Sequence, residues 1–238
     1  MPSMKSYNTD SMTLDIESIF VVIPAKNEDR YILSLIDQIR KEGFKHIVIV
    51  NDSSTDQTRE LAEQYLDVVV LDHVINLGPG AATQTGIAYA VTQDAEIILT
   101  IDADLQHNPK DLKRLMRHMK DHQCDLVIGS RFLQKNNIPA SRIFYNKIGN
   151  IISFFLTGKM LTDSQSGLKA ISGHLAKSMD LNYDGFEFCM EIIKHANFTK
   201  AKVSEIPVDV RYTSQTRAKG QSFRSGLDMI SRIFSPFN

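Results

Sequence analysis

Apolar and polar positions alternate in a regular way along the first half of the chain. Residues 19–23, Ile-Phe-Val-Val-Ile, form a short continuous apolar run ending at Pro24, which predicts a buried strand. Between residues 31 and 41 the apolar side chains fall at Ile32, Leu35, Ile36 and Ile39, the spacing of one helix face, and Gly43 stops the helix. The rhythm continues with a strand over 46–50, a polar turn over 51–56 that can cap a helix over 57–65, and a strand over 68–71. A Gly-rich turn over 76–82, a helix over 81–92 and a strand over 97–101 complete this half. Strands alternating with helices predict an α/β fold: a Rossmann-like, mostly parallel sheet with helices on both faces. Ligands of such sheets bind beyond the carboxyl ends of the strands, where Asn27, Glu28, Asp52, Asn76, Asp102 and Asp104 all fall.

The pattern loosens further on. A charged helix over 111–122 leads to a strand over 125–131, whose end presents Arg131 to the same rim. From Ser141 the character shifts: Ile143, Phe144, Ile148, Ile151, Ile152, Phe154, Phe155 and Leu156 give a helix a wide apolar face, with cations at Arg142, Lys147 and Lys159. That pattern describes both an interfacial helix and an ordinary helix packed on a core. A polar stretch over 163–171, a helix near 174–179, another opening at 185–191 and a strand over 203–212 follow. A basic loop over 213–222 and an amphipathic helix over 223–234 end the chain.

Composition narrows the function. In 238 residues, 23% charged and 42% apolar, the net charge is -1, so nothing global asks for nucleic acid, and local basic clusters must carry any phosphate binding. Cys124 and Cys189 lack metal-ligand spacing and suit reduced thiols of a cytoplasmic protein. No stretch reaches the ~18 apolar residues needed to cross a bilayer, so contact with a membrane is expected only at its surface. Asp102 and Asp104, at i and i+2 of a fading strand, point the same way and can reach one hard divalent cation. The same pair also occurs in ordinary turns, one acid capping and the other solvated.

Six ordered motifs decide between these. Val22-Ile-Pro-Ala-Lys-Asn-Glu28, Val50-Asn-Asp-Ser-Ser-Thr-Asp56, Asn76-Leu-Gly-Pro-Gly-Ala-Ala82, Asp102-Ala-Asp-Leu-Gln-His107, Gly129-Ser-Arg131 and Asp163-Ser-Gln-Ser-Gly167 resemble those of the family 2 glycosyltransferases of the GT-A fold. The likeness is greatest to dolichyl-phosphate mannose synthases and related polyprenyl-phosphate glycosyltransferases. It runs from about residue 19 to 234 and implies a flexible leader (1–18) before one GT-A domain (19–238). A nucleotide-sugar-binding half (19–131) would be followed by an acceptor-side half (132–238). Two departures stand out: Ser53 where relatives often carry Gly, and Pro79 where Lys or Arg is frequent.

The resemblance assigns roles. Pro24, Lys26, Asn27, Glu28, Asp52, Asn76, Gly80, Ala103 and Arg211 would line the donor site, and Asp104, Asp102 and Gln106 would hold Mg²⁺ or Mn²⁺ across its diphosphate. Asp102 would either share the cation or contact the ribose. Arg131, Arg142 and Gln165 would hold the acceptor, while Arg217 and Lys219 on the basic loop would close over the diphosphate. The expected reaction is a single inverting transfer of one hexose from a GDP- or UDP-sugar to a polyprenyl phosphate at the cytoplasmic membrane face. A lipid phosphate is already an anion and needs cations more than a base. A saccharide hydroxyl acceptor, the alternative, would need Asp163 or Glu187 to take its proton. The Gln-x-x-Arg-Trp stretch of sugar polymerases is absent, and the chain has no tryptophan, which favours one transfer per donor. A third expectation, of another class, is a non-catalytic nucleotide-sugar-binding subunit.

Overall fold

The computed structural model describes residues 18–136, 138, 140–179, 185 and 187–211. Seven strands form one sheet in the order β3-β2-β1-β4-β6-β5-β7. The strands are β1 (Ile19–Ala25), β2 (His46–Asn51), β3 (Val68–Asp72), β4 (Ile97–Thr100), β5 (Leu126–Ser130), β6 (Lys169–Ser172) and β7 (Val203–Pro207). β1 pairs in parallel with β2 and β4, β2 with β3, and β5 with β7. β6 alone runs antiparallel, wedged between β4 and β5. The helices are α1 (Ile32–Lys41), α2 (Thr58–Ala62), α3 (Pro79–Thr92), α4 (Lys110–His122), α5 (Ala140–Thr157), α6 (Gly173–Ser178) and α7 (Phe188–Phe198).

Strand alternation sends side chains to two separate cores. Ile19, Val21 and Ile23 of β1 face one way, onto Ile32, Leu35 and Ile36 of α1 and Leu112, Leu115 and Met116 of α4. Phe20 and Val22 face the other way, onto Ala82, Ile87 and Ala90 of α3 and Ile192 and Ile193 of α7. Contact on this second face is close. A Cβ at Gly86 would lie 2.3 Å from Val22 Cγ1, so only glycine lets α3 settle on β1.

The strand order reverses between β1 and β4: the chain winds outward through β2 and β3, then returns to β4 on the other side of β1. A crevice opens at that reversal, beyond the carboxyl ends of the strands. Helix α5 departs from ordinary amphipathicity. Asn146, Gly149 and Ser153 are on its buried side, while Ile148, Ile151, Phe154 and Phe155 are exposed. Among the described residues no helix is long and apolar enough to cross a membrane. The expected leader, apart from Ser18, and the basic loop and final helix lie outside the described residues.

Candidate functional site: a carboxylate-lined crevice at the sheet reversal

The floor of the crevice is built by two interlocked loops. Residues 26–29 leave β1, and residues 51–58 leave β2. Backbone N–H groups of Asn27 and Glu28 donate to Ser54 Oγ (3.0 Å) and Thr58 Oγ1 (2.8 Å). In return, Thr55 N–H donates to Asn27 Oδ1 at 2.8 Å. Lys26 Nζ reaches the Asp52 carbonyl at 3.3 Å. Both turns need left-handed backbone, at Asn27 (φ 54°) and at Ser53 (φ 57°). The second is the position where the resembling enzymes often carry glycine, and the positive φ is the physical reason.

Asp52 has work inside its own chain. Its carboxylate accepts Leu77 N–H and Gly78 N–H at 2.8 Å each, and His73 Nδ1 lies 2.9 Å away. His73 Nε2 meets Thr85 Oγ1 at 3.0 Å, so one carboxylate ties β2, the Gly-rich loop and α3 together. Asn76 is exposed on that loop and Gly80 is buried in the first turn of α3. Asp52 therefore braces the Gly-rich loop from within, a part that spacing alone did not reveal. Pro24 is half-buried beside it, at the end of β1.

β4 delivers Asp102 and Asp104 to the reversal point. Thr100 Oγ1 donates to the Gly167 carbonyl at 2.6 Å, bringing the loop before β6 against the end of β4. Asp102 rests on that loop so closely that a Cβ at Gly167 would lie 2.3 Å from its Oδ2. Burial, then the charges of Asp104 and Glu28, push the Asp102 carboxyl up to about 6 against the pull of Lys169 and Arg131. Gln106 donates to Asp104 through both its backbone N–H, at 3.0 Å, and its side-chain amide. Leu105 between them adopts φ 55°, a strained conformation for a bulky residue and common at functional sites. The Ala103 methyl belongs to the core beneath, so this residue faces the crevice only through its backbone.

These groups suit a small divalent cation. Among the described residues no three His, Cys, Asp or Glu side chains form a metal cage. Two neighbouring carboxylates fit, instead, the kind of donor set that a ligand's phosphates would complete around a cation such as Mg²⁺. With its amide turned to Asp104, Gln106 positions that carboxylate in this structure.

The far wall differs. Asp163 is fully buried and takes Arg131 in a fork, Nε to Oδ2 and Nη2 to Oδ1 at 2.7 Å each, with Arg131 N–H adding a third bond at 3.0 Å. Glu205 of β7 holds the same loop by accepting Asp163 N–H at 3.0 Å and Thr162 N–H at 2.8 Å. His107 is buried behind Arg131; burial and the Arg131 charge push its pKa down to about 3, so it is neutral, and its Nδ1 has no partner among the described residues. An isolated bridge from His107 to Val210, with Arg211 N–H donating to Gln106 O at 2.9 Å, brings exposed Arg211 to the rim. Gln165 lies against α5, where a Cβ at Gly149 would be 2.6 Å from its Nε2. Glu187 is buried at the start of α7, folded back on Gly185. Arg142 is on α5 with its side chain outside the described ones; Arg217 and Lys219 lie wholly outside them.

Sequence reasoning passed over His73, Glu205 and Lys169. Only Lys169 left a signal, a charge inside the apolar run Leu168-Lys-Ala-Ile171.

Comparison with known proteins agrees with this architecture. The chain is 31% identical over 240 residues to a UDP-N-acetylglucosamine–dolichyl-phosphate N-acetylglucosaminyltransferase of Methanococcus voltae, covering 90% of this chain and 94% of that one. It is 27% identical over 224 residues to a polyprenol monophosphomannose synthase of Mycolicibacterium smegmatis, covering 90% and 83%. Among solved structures, glucosyl-3-phosphoglycerate synthase of Mycobacterium tuberculosis with Mn²⁺ and UDP-glucose superposes with a TM-score of 0.71 at 18% identity, over 91% of this chain and 76% of that one, which shows the fold. The sequence profile described as glycosyl transferase family 2 matches residues 20–170, a span that holds the crevice from Glu28 to Asp163. A mixed sheet reversing at β1 and β4, with its acids gathered there, is thus the GT-A fold, and the chain belongs to glycosyl transferase family 2 as a glycosyltransferase.

Proposed function

We propose that the protein moves one hexose from a GDP- or UDP-sugar to a polyprenyl phosphate, with inversion, at the cytoplasmic face of a membrane. The observation that carries the lipid acceptor is helix α5. Among its described side chains Asn146, Gly149 and Ser153 are buried while Ile148, Ile151, Phe154 and Phe155 are exposed, which suits the boundary of a bilayer. The two relatives named for dolichyl and polyprenol substrates support the same acceptor class. They differ in the sugar, GlcNAc in one and mannose in the other, so the donor is left to experiment.

Asp104 and Asp102 would hold Mg²⁺ or Mn²⁺ between them and the donor diphosphate. When bound, the ion neutralises charge that builds on the leaving diphosphate. Gln106 keeps Asp104 aimed into the crevice. Glu28, with Pro24, Lys26 and Asn27, would meet the nucleoside, and the loop that Asp52 secures would close that pocket. Asp163 is a poor proton acceptor, since both of its oxygens are already engaged by Arg131. A phosphate nucleophile requires no such base. Arg142 would hold it, beside the Arg131–Asp163 pair, while Arg211, Arg217 and Lys219 would serve the donor diphosphate, and positioning would supply most of the rate.

The test is transfer of labelled sugar from a panel of GDP- and UDP-sugars to a short-chain polyprenyl phosphate, with Mn²⁺ or Mg²⁺ and with EDTA. Metal-dependent labelling of the lipid is the expected result and identifies the donor at once. Donor hydrolysis with no labelled lipid would move the acceptor to a saccharide hydroxyl and make Glu187 the base to mutate.

A further inference from the structure

Lys169 sits in the centre of the sheet with no solvent exposure. Burying an ammonium group is costly unless a counter-charge compensates it, and a methionine would fill the same space without that cost. Its immediate contacts are neutral. Nζ donates to the Ser166 carbonyl, lies 3.2 Å from Cys189 Sγ and stands 5.4 Å from the centre of the Phe188 ring. Burial pushes the Cys189 thiol up, so the sulfur supplies no anion. Among the described residues no carboxylate lies within ion-pair distance of Lys169.

The negative charge lies one step further. Ser166 immediately precedes Gly167, the residue on which the Asp102 carboxylate rests. Lys169 thus occupies the floor beneath Asp102, on the strand that pairs Thr100 of β4 with Lys169 of β6. We propose that Lys169 is a positioning residue for the cation site, a fixed internal charge beneath Asp102 that keeps the Asp102–Asp104 pair from holding a divalent ion firmly on its own. Asp102 and Asp104 would then hold the ion firmly only together with a diphosphate, whose oxygens would supply the missing negative charge. This inference rests on the reading of Asp102 and Asp104 as the cation site.

Mn²⁺ binding to the purified full chain tests it, by titration calorimetry or by the free-Mn²⁺ spin-resonance signal, alone and with UDP or GDP. Wild type should bind Mn²⁺ weakly alone and much more tightly with nucleotide. Lys169→Met should bind Mn²⁺ alone about tenfold more tightly, and so lose most of the nucleotide's effect. Lys169→Gln, a second neutral side chain, should do the same. Damage to the fold would weaken binding, so a gain in affinity separates the charge effect from a structural one. Unchanged or weaker Mn²⁺ binding in both variants overturns the inference, and so does failure of both to fold, since Lys169 would then serve the fold. Wild type that binds no Mn²⁺ even with either nucleotide overturns the cation site itself. Nucleotide-dependent binding in wild type with unaltered variants overturns the role of Lys169 alone.

Discussion

Two aspartate sites share the rim of one sheet and behave in opposite ways. Asp163 is fully buried against a guanidinium, while the Asp102 carboxyl, beside other carboxylates, is pushed up to about 6 by burial first and by those charges second. The difference is company. Asp163 receives a guanidinium fork at 2.7 Å on each oxygen, while Asp102 faces Asp104 and Glu28. Burial is the largest push on Asp102, and the like charges of Asp104 and Glu28 add to it. A saturated carboxylate is scaffold, and a crowded one is a place prepared for positive charge to arrive. On the proposed function the β4 end of the crevice would be the reacting side, and the Arg131–Asp163 pair the wall that holds it in shape.

Removing Asp104 should break the comparison most severely. Asp104→Ala should lower kcat/KM about a thousandfold or more, roughly 4 kcal/mol of transition-state stabilisation, with an unchanged circular dichroism spectrum. Activity within tenfold of wild type would take the cation away from this residue. On the opposite wall, Arg131→Ala leaves a buried carboxylate without its fork and should cost about 3–5 kcal/mol in urea unfolding. A cost below about 1 kcal/mol would mean that Asp163 finds another partner and the wall is not held by this pair.

Acid titration sharpens the contrast with a smaller effect. Because the Asp102 carboxyl is raised in the folded chain from 3.8 to about 6, the native state binds the extra proton between those values. The metal-free protein should therefore lose stability from this group as pH rises from about 4 to about 6, by roughly 1–2 kcal/mol. Asp102→Asn should remove that slope in thermal melts, and Mn²⁺ with nucleotide should stabilise wild type more at pH 8 than at pH 5. A wild-type slope identical to that of Asp102→Asn would show that the crowding is relieved in solution. The smallest effect belongs to the loop after β2. Ser53 holds φ 57°, so Ser53→Gly should stabilise the fold by about 0.5–1 kcal/mol, read as a modest rise in Tm. A lowered Tm would mean that the Ser53 side chain contributes more than its backbone strain costs.

The local pattern carried much of the architecture. Apolar runs and helical spacing placed β1 through β5 and α1 through α4 within a few residues, and they put Glu28, Asp52, Asp102 and Asp104 at strand ends. α2 proved shorter than the expected 57–65, ending at Ala62, and the last strand stops at Pro207 instead of 212. β6 escaped notice because it has only four residues and begins with a lysine, so it shows neither alternation nor an apolar run. Its antiparallel insertion between β4 and β5 depends on contacts far apart in sequence.

Side-chain partners followed the same division. Sequence located Asp52 and Asp163 along the chain and passed over Lys169, but only the folded structure joined Asp52 to His73 and the Gly-rich loop and Asp163 to Arg131, and buried Lys169 beneath Asp102. Periodicity reports which face a residue occupies, because it reflects the geometry of one element. The charge that meets a carboxylate is decided by elements converging from distant parts of the chain. For this protein the sequence determined the family, the parallel part of the sheet and the acids at its rim; tertiary packing inserted β6 and decided which acid meets a guanidinium and which meets other acids.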